Sequence, residues 1–244
     1  MTLRHHFELR ETIATILADD QSVIDAACEG IRSARHEIER YILFDPFFEM
    51  SYEPVVVKEG PDIIQKMADA AEIAGVGPMA AVAGAVACAG VRAAHNTGAS
   101  FCIIDNGGDI AMITDRPVHV GLYAGRSPLS GRYAFCIPPK EDMYGICTSS
   151  ATVGHSFSFG TADSVTVFSP DPILADATAT AICNALTITD QSCLEQINPI
   201  IEGIFAVFGE QSIIWGDIPT IVRAESREEL ITAGGLGFIS GSLI

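Results

Sequence analysis

Three short stretches hold the residues best suited to chemistry. In "IIDNGGDIAMI", Asn106, Gly107, Gly108 and Asp109 lie between two apolar runs. Asn-Gly in that setting signals a two-residue hairpin turn, whose central residues both take positive φ. The two glycines also strip side chains from the tip, so a flat or phosphorylated ligand can approach the backbone while Asp109 supplies a carboxylate. A plain turn and a ligand-facing turn both fit this segment taken alone.

In "ADATATA", Asp176 and Thr180 stand four residues apart on the helix expected after Pro172, and therefore share a face. A carboxylate and a hydroxyl one turn apart are hard oxygen ligands of the kind Mg²⁺ takes while keeping waters and borrowing phosphate oxygens. An aspartate near a helix N-terminus and a threonine on a solvated face describe the pair equally well. The third stretch is "GICTSSATVGHSFSFGTADSV", residues 145–165. Read as a loop, it offers the hydroxyls of Thr148, Ser149, Ser150 and Thr152, with backbone N–H groups able to form an anion-binding nest. His155 follows, flanked by glycine and serine. Its near-neutral titration suits an acid, a base or a ligand contact, and a structural histidine is the other reading. Cys147 has no basic neighbour in sequence to lower its pKa, and reads as a small buried residue.

The elements that must position these residues can be read from pattern. Phe7, Leu9, Ile13 and Ile16 mark a strand pair. Val23, Ala27, Ile31, Ala34 and Ile38 recur at helical spacing between Asp20 and Asp45-Pro46. A second helix runs from near Pro61 to Ala74, broken by Gly75 and Gly77, and an Ala-rich one starts at Pro78. From residue 99 short β-rich runs follow: "SFCIID", "IAMIT", "PVHVGLYAG", "GRYAFCIPP" and "DSVTVFS". A helix capped by Asp171 with Pro172 at its first position comes next, then a helix near 191–202 and the strands "IFAVFG" and "SIIWG". The Gly-rich tail from about 232 is expected to be poorly ordered. No linker or repeat divides residues 1–244, so the expectation is one α+β domain with mainly antiparallel sheet.

Composition narrows the function. Hydrophobic residues make up 48% and charged residues 18% of 244, enough to bury a core. The formal net charge of -17 opposes a phosphate backbone, which excludes nucleic acid as the natural partner. A polyphosphate ligand would need a metal ion or backbone N–H groups. Seven cysteines with no C-x-x-C pair argue against a disulfide framework or a zinc site, and indicate a reducing compartment. The N-terminal stretch lacks the apolar core of a signal peptide, so the cytoplasm is the expected location. The apolar run 74–91 is mostly Ala and Gly with Pro78, which predicts a buried helix and no membrane partner.

Taken in order, "GVGPMAAVAGAVA", "NGGD", "TSSATVGHS", "SVTV" and "ADATATA" resemble the FAD:protein FMN transferase (ApbE-like) superfamily, and most closely a compact branch of it. The resemblance covers about residues 5–222. It implies two T-fold-like halves, each a small antiparallel sheet with helices. It also implies Mg²⁺ held by Asp176 and Thr180 with a backbone carbonyl, and FAD or a related flavin nucleotide lined by the "NGGD" hairpin and the "TSSAT" loop. His155 matches a histidine near the pyrophosphate and is the expected catalytic residue. Two readings follow. One is an FMN transferase or FAD pyrophosphatase with an acceptor protein; the other is a flavin, pterin or other cofactor carrier or assembly protein. Ala83-Gly84 stands where the transferases carry Lys-Gly, and the loop that ends in H-x-x-D-P there is shortened to "VGHSFSFG". The small-residue helix adds the expectation of a homodimer.

Overall fold

The computed structural model describes residues 2–150 and 161–224. Thr152, His155 and the Gly-rich tail lie outside the described residues. Strands β1 (Leu3–Leu9) and β2 (Thr12–Ala18) form the expected hairpin, with Phe7 and Ile16 buried. Helix α1 (Gln21–Phe44) buries the predicted stripe Val23, Ala27, Ile31, Ala34 and Ile38. A one-turn helix α2 (Phe47–Met50) follows Pro46, and α3 (Asp62–Ala74) ends where Gly75 adopts φ 71°. The Ala-rich run opens with a 3-10 turn, Pro78–Ala81, and continues as α4 (Val82–His95).

Strands β3 (Cys102–Asn106), β4 (Asp109–Thr114), β5 (Val118–Gly121), β6 (Tyr133–Ile137), β7 (Lys140–Ser149) and β8 (Ser164–Ser169) come next. Then follow α5 (Pro172–Ala185), β9 (Gly203–Phe208), β10 (Gln211–Gly216) and β11 (Thr220–Arg223). Eight strands pair in the order β1-β2-β3-β4-β7-β8-β9-β10, every pair antiparallel. The halves are visible in that order. β1–β4 enclose α1 to α4 between β2 and β3, while β7–β10 enclose α5 between β8 and β9. The β4–β7 pairing fuses both into one sheet.

Strand alternation sends each sheet residue to one of two cores. Cys102, Ile104, Ala111, Cys147, Val165 and Ile204 pack with the helices. Ile103, Met112, Ile146, Phe168 and Phe205 pack beneath the small sheet β11-β6-β5, where Phe135 meets the rings of Phe168 and Phe205 edge-on.

Two expectations need correction. The stretch 191–202 forms only a 3-10 turn, Ser192–Gln196, because Pro199 restricts Asn198 and interrupts the backbone bonding of a longer helix. Thr148 and Ser149 are not loop residues; they complete β7, whose polar first half hid the strand. The small residues of α4 serve packing within the chain. A Cβ on Gly90 would meet Ile104 and Ile31, and one on Gly84 would meet Pro172 and Asp176. No single helix among the described residues is long and apolar enough to cross a membrane, and most of α4 is buried.

Candidate functional site

The hairpin turn forms as its sequence dictates. Gly107 and Gly108 take φ 70° and 107°, and Asn106 pairs with Asp109 across the strands. The Asp105 carboxylate accepts the Gly108 N–H at 2.9 Å, which closes the turn. On the other side β4 pairs with β7, so that Asp109 stands directly opposite Cys147. The Thr148 N–H donates to the Gly108 carbonyl at 3.2 Å and to Asp109 Oδ1 at 3.3 Å. Two motifs separated by some forty residues of sequence are therefore adjacent strands.

Alternation divides the hydroxyls between the two faces of the sheet. Cys147 faces the helices, where its thiol donates to the Pro172 carbonyl at 3.4 Å. Ser149, two residues on, shares that face. Thr148 points the other way and its hydroxyl pairs with that of Thr166 at 2.9 Å. The Ser150 hydroxyl donates to the Asp163 carbonyl at 2.7 Å. Of the "TSSAT" hydroxyls, two are thus engaged within the fold. Thr152 lies outside the described residues, as does His155.

The third motif approaches from α5. Asp171 caps that helix, accepting the N–H groups of Ile173 and Leu174, and α5 packs on β7 and on α4. Asp176 is buried at 7% exposure, and its Oδ2 accepts the Gly84 N–H at 2.8 Å. An aspartate of α5 thereby satisfies the first turn of α4, whose N–H groups have no partner inside their own helix. The Asn106 side-chain amide donates to the Ala83 carbonyl at 3.1 Å, tying the hairpin to the same turn. Thr180, half-buried, lies one turn further along α5. Residues 83 and 84 sit at the centre of the site through backbone groups alone, and side-chain chemistry in the sequence does not reveal that role.

The meeting of the motifs has an electrostatic consequence. Burial pushes the Asp109 carboxyl well above its ordinary range, and the charges of Asp176 and Asp105 push it further. Burial likewise raises Asp176 to about 7, against the pull of the Gly84 and Ala83 N–H groups. The Cys147 thiol is raised by burial and by both aspartates, so it remains protonated and is no nucleophile. Strand pairing and hydrogen bonds thus link Asn106, Asp109, Cys147 and Asp176 through the Ala83–Gly84 backbone and α5, with Gly107 and Gly108 in the adjoining turn and Ser149 on the same face of β7 as Cys147.

A family model described as AbpE bacteria matches residues 2–197. The chain belongs to this family. A UPF0280 protein of Methanospirillum hungatei is 77% identical over the full length of both chains. A UPF0280 protein of Methanosarcina acetivorans is 44% identical, across 94% of this chain and 93% of its own. The fold is similar to that of the flavinyl transferase ApbE from Pseudomonas stutzeri. There the TM-score is 0.60 at 12% identity, covering 96% of this chain and 98% of the other. An ApbE protein from Thermotoga maritima superposes with TM-score 0.55 at 12% identity, covering 96% and 100%. Family and fold agree with the resemblance carried by the motifs.

Proposed function

We propose that the chain binds a flavin nucleotide, FAD, together with Mg²⁺ where the "NGGD" turn, the end of β7 and α5 meet. There it splits the pyrophosphate and passes FMN to a hydroxyl of an acceptor protein. The observation that carries this reading is the approach of the half-buried Asp109 to the buried Asp176, whose charge raises the Asp109 carboxyl beyond what burial alone does. A carboxylate crowded by another in this way gains from a divalent cation that neutralises both. Among the described residues no three His, Cys, Asp or Glu side chains form a metal centre. The ion would therefore draw on Asp176, the Thr180 hydroxyl, a backbone carbonyl and the phosphates of the ligand, a sharing typical of Mg²⁺. Bound there, Mg²⁺ supplies charge neutralisation for the pyrophosphate oxygens.

The chain's own residues do the rest. The Gly84 N–H orients the Asp176 carboxylate, and Asn106 fixes the turn that contains it. Gly107 and Gly108 leave open backbone for the ligand, since a Cβ on Gly107 would meet nothing within 4 Å. Ser149 presents a hydroxyl on the site's face, and His155 is the residue whose near-neutral titration suits moving the proton of the acceptor hydroxyl. The seven cysteines without a C-x-x-C pair support a cytoplasmic location for this activity. Ala83, where transferases carry lysine, favours the carrier reading, in which the same site holds a flavin without turnover. Incubation with FAD and Mg²⁺, followed by chromatography, separates the two. Release of AMP with FMN transfer or FMN release supports the enzyme, and tight FAD binding without AMP release over hours overturns it. His155→Ala is expected to cut turnover by about a hundredfold while FAD affinity stays within a few-fold.

A further inference from the structure

Exposed large apolar side chains are concentrated in one segment. Leu43 and Phe44 at the end of α1 are each 84% exposed, Tyr52 80% and Val56 83%. Phe47 and Met50, three apart on the single turn of α2, are 58% and 67% exposed. Six of the large exposed hydrophobics thus fall within fourteen consecutive residues. The segment is firmly seated rather than splayed. Phe48 is fully buried with its ring edge-on to Tyr41 at 5.2 Å, Ser51 lies against Gly77, and the Ser51 hydroxyl and Glu53 close a local turn.

Three of the six are aromatic, a class of side chain that can bury roughly 150–250 Å² each, and the other three add aliphatic surface, so the segment exposes several hundred Å² of apolar area. That much from fourteen residues is at or above the roughly 300–600 Å² typical of the largest patch on a whole monomer. With its polar rim the segment can supply the roughly 800 Å² that one partner contributes to a standard interface. The rim carries both signs, with exposed Arg40 and Lys58 among exposed Glu49, Glu53 and Glu59. A two-fold axis brings the same patch from both copies together, so that each basic group can face an acidic one. The area and the mixed rim fit a second copy of this chain. A basic partner would be met by a uniformly acidic rim, and a lipid surface by a basic one.

We infer that residues 43–56 form an isologous homodimer interface. The interface uses the end of α1 and α2, not the small-residue face of α4, which is consumed inside the fold. The net charge of -17 on each copy opposes association, so added salt strengthens the dimer. The test is size-exclusion chromatography with light scattering across micromolar concentrations, on the full chain. The wild type is expected at twice the chain mass of 25.9 kDa, and the Leu43→Glu/Val56→Glu double variant at the single mass. Both side chains lie in water in the protomer, so the variant should keep the wild-type circular dichroism. If it does not, Tyr52→Arg is the second variant. Hydrogen exchange of the 43–56 amides, compared between dilute and concentrated wild-type protein, is expected to slow on concentration. A monomeric wild type at every concentration and salt level overturns the inference, whatever else occupies the patch. So does a dimer that survives the substitutions with exchange in 43–56 unchanged.

Discussion

Asp176 of α5 accepts the backbone N–H of Gly84 at 2.8 Å, across 92 positions of chain, and so serves as the cap of a helix to which it does not belong. This single contact gives the carboxylate two roles that substitution can separate. Asp176→Ala leaves the Gly84 and Ala83 N–H groups buried without an acceptor, and is expected to lower stability by about 1–3 kcal/mol. Asp176→Asn keeps an acceptor oxygen and removes a buried charge, so it should be at least as stable as the wild type without metal. Both variants should lose the Mg²⁺ dependence of FAD binding. Urea denaturation and calorimetry read the two effects, and an Asn variant as unstable as the Ala variant would contradict the capping role.

The same burial predicts a pH dependence. The folded-state pKa of Asp176 is about 7 against an ordinary 3.8, so the native protein holds a proton that the unfolded chain has released. Stability from this group is therefore full at low pH and declines as pH rises through that window. Asp109 is shifted in the same direction. Exposed carboxylates paired with arginine, such as Asp19 and Asp115 with Arg116, are lowered and act in the opposite sense. The informative quantity is therefore the difference between wild type and Asp176→Asn. That difference should grow from pH 4 to pH 7 in the variant's favour and shrink when Mg²⁺ is added. A flat difference across this range would show that Asp176 is not the group responsible.

Much of this arrangement was legible in the sequence, for identifiable reasons. The positive-φ glycines of "NGGD" announce their own turn, and Asp171-Pro172 announces the start of α5. Local signals of this kind need no tertiary information. The end of β7 was not legible, because Thr148 and Ser149 look like loop residues until β4 and β8 are placed on either side. The role of residues 83 and 84 was hidden for a related reason. Backbone N–H and C=O groups carry no residue identity, and what recruits them is the close approach that Gly84 permits.

That close approach is itself testable. A Cβ on Gly84 would lie 2.5 Å from the Pro172 carbonyl oxygen and 2.8 Å from the Asp176 Cβ, so Gly84→Ala must push α4 and α5 apart. Overpacking of this kind costs about 1–3 kcal/mol, and here it also displaces the Asp176 carboxylate. Gly107→Ala meets no neighbour but must hold φ near 70°, a strain of roughly 1–2 kcal/mol confined to the turn. Thermal denaturation should find both variants less stable. Gly84→Ala, which displaces Asp176, should weaken FAD binding by tenfold or more only when Mg²⁺ is present. Gly107→Ala, whose Cβ takes up backbone space left for the ligand, should weaken it with and without the metal. A Gly84 variant that loses FAD affinity equally with and without Mg²⁺ would show that the helix contact does not act through Asp176.

The opposed faces of β7 give the sharpest test of where the ligand lies. Thr148 directs its hydroxyl to Thr166 on the face packed beneath the small sheet, while Ser149 follows Cys147 toward the helices and Asp109. Thr148→Val removes a half-buried hydroxyl and leaves Thr166 without its 2.9 Å partner, so it should lower stability by about 1 kcal/mol. FAD affinity should stay within a few-fold, because that side chain faces away from the site. Ser149→Ala should do the reverse, leaving the unfolding midpoint nearly unchanged and weakening FAD binding by roughly three- to tenfold, the worth of one hydrogen bond. Fluorescence titration of FAD beside urea denaturation separates the two readouts. A Thr148 variant that loses FAD affinity at wild-type stability would move the ligand to the other face of the sheet, away from Asp109 and Asp176.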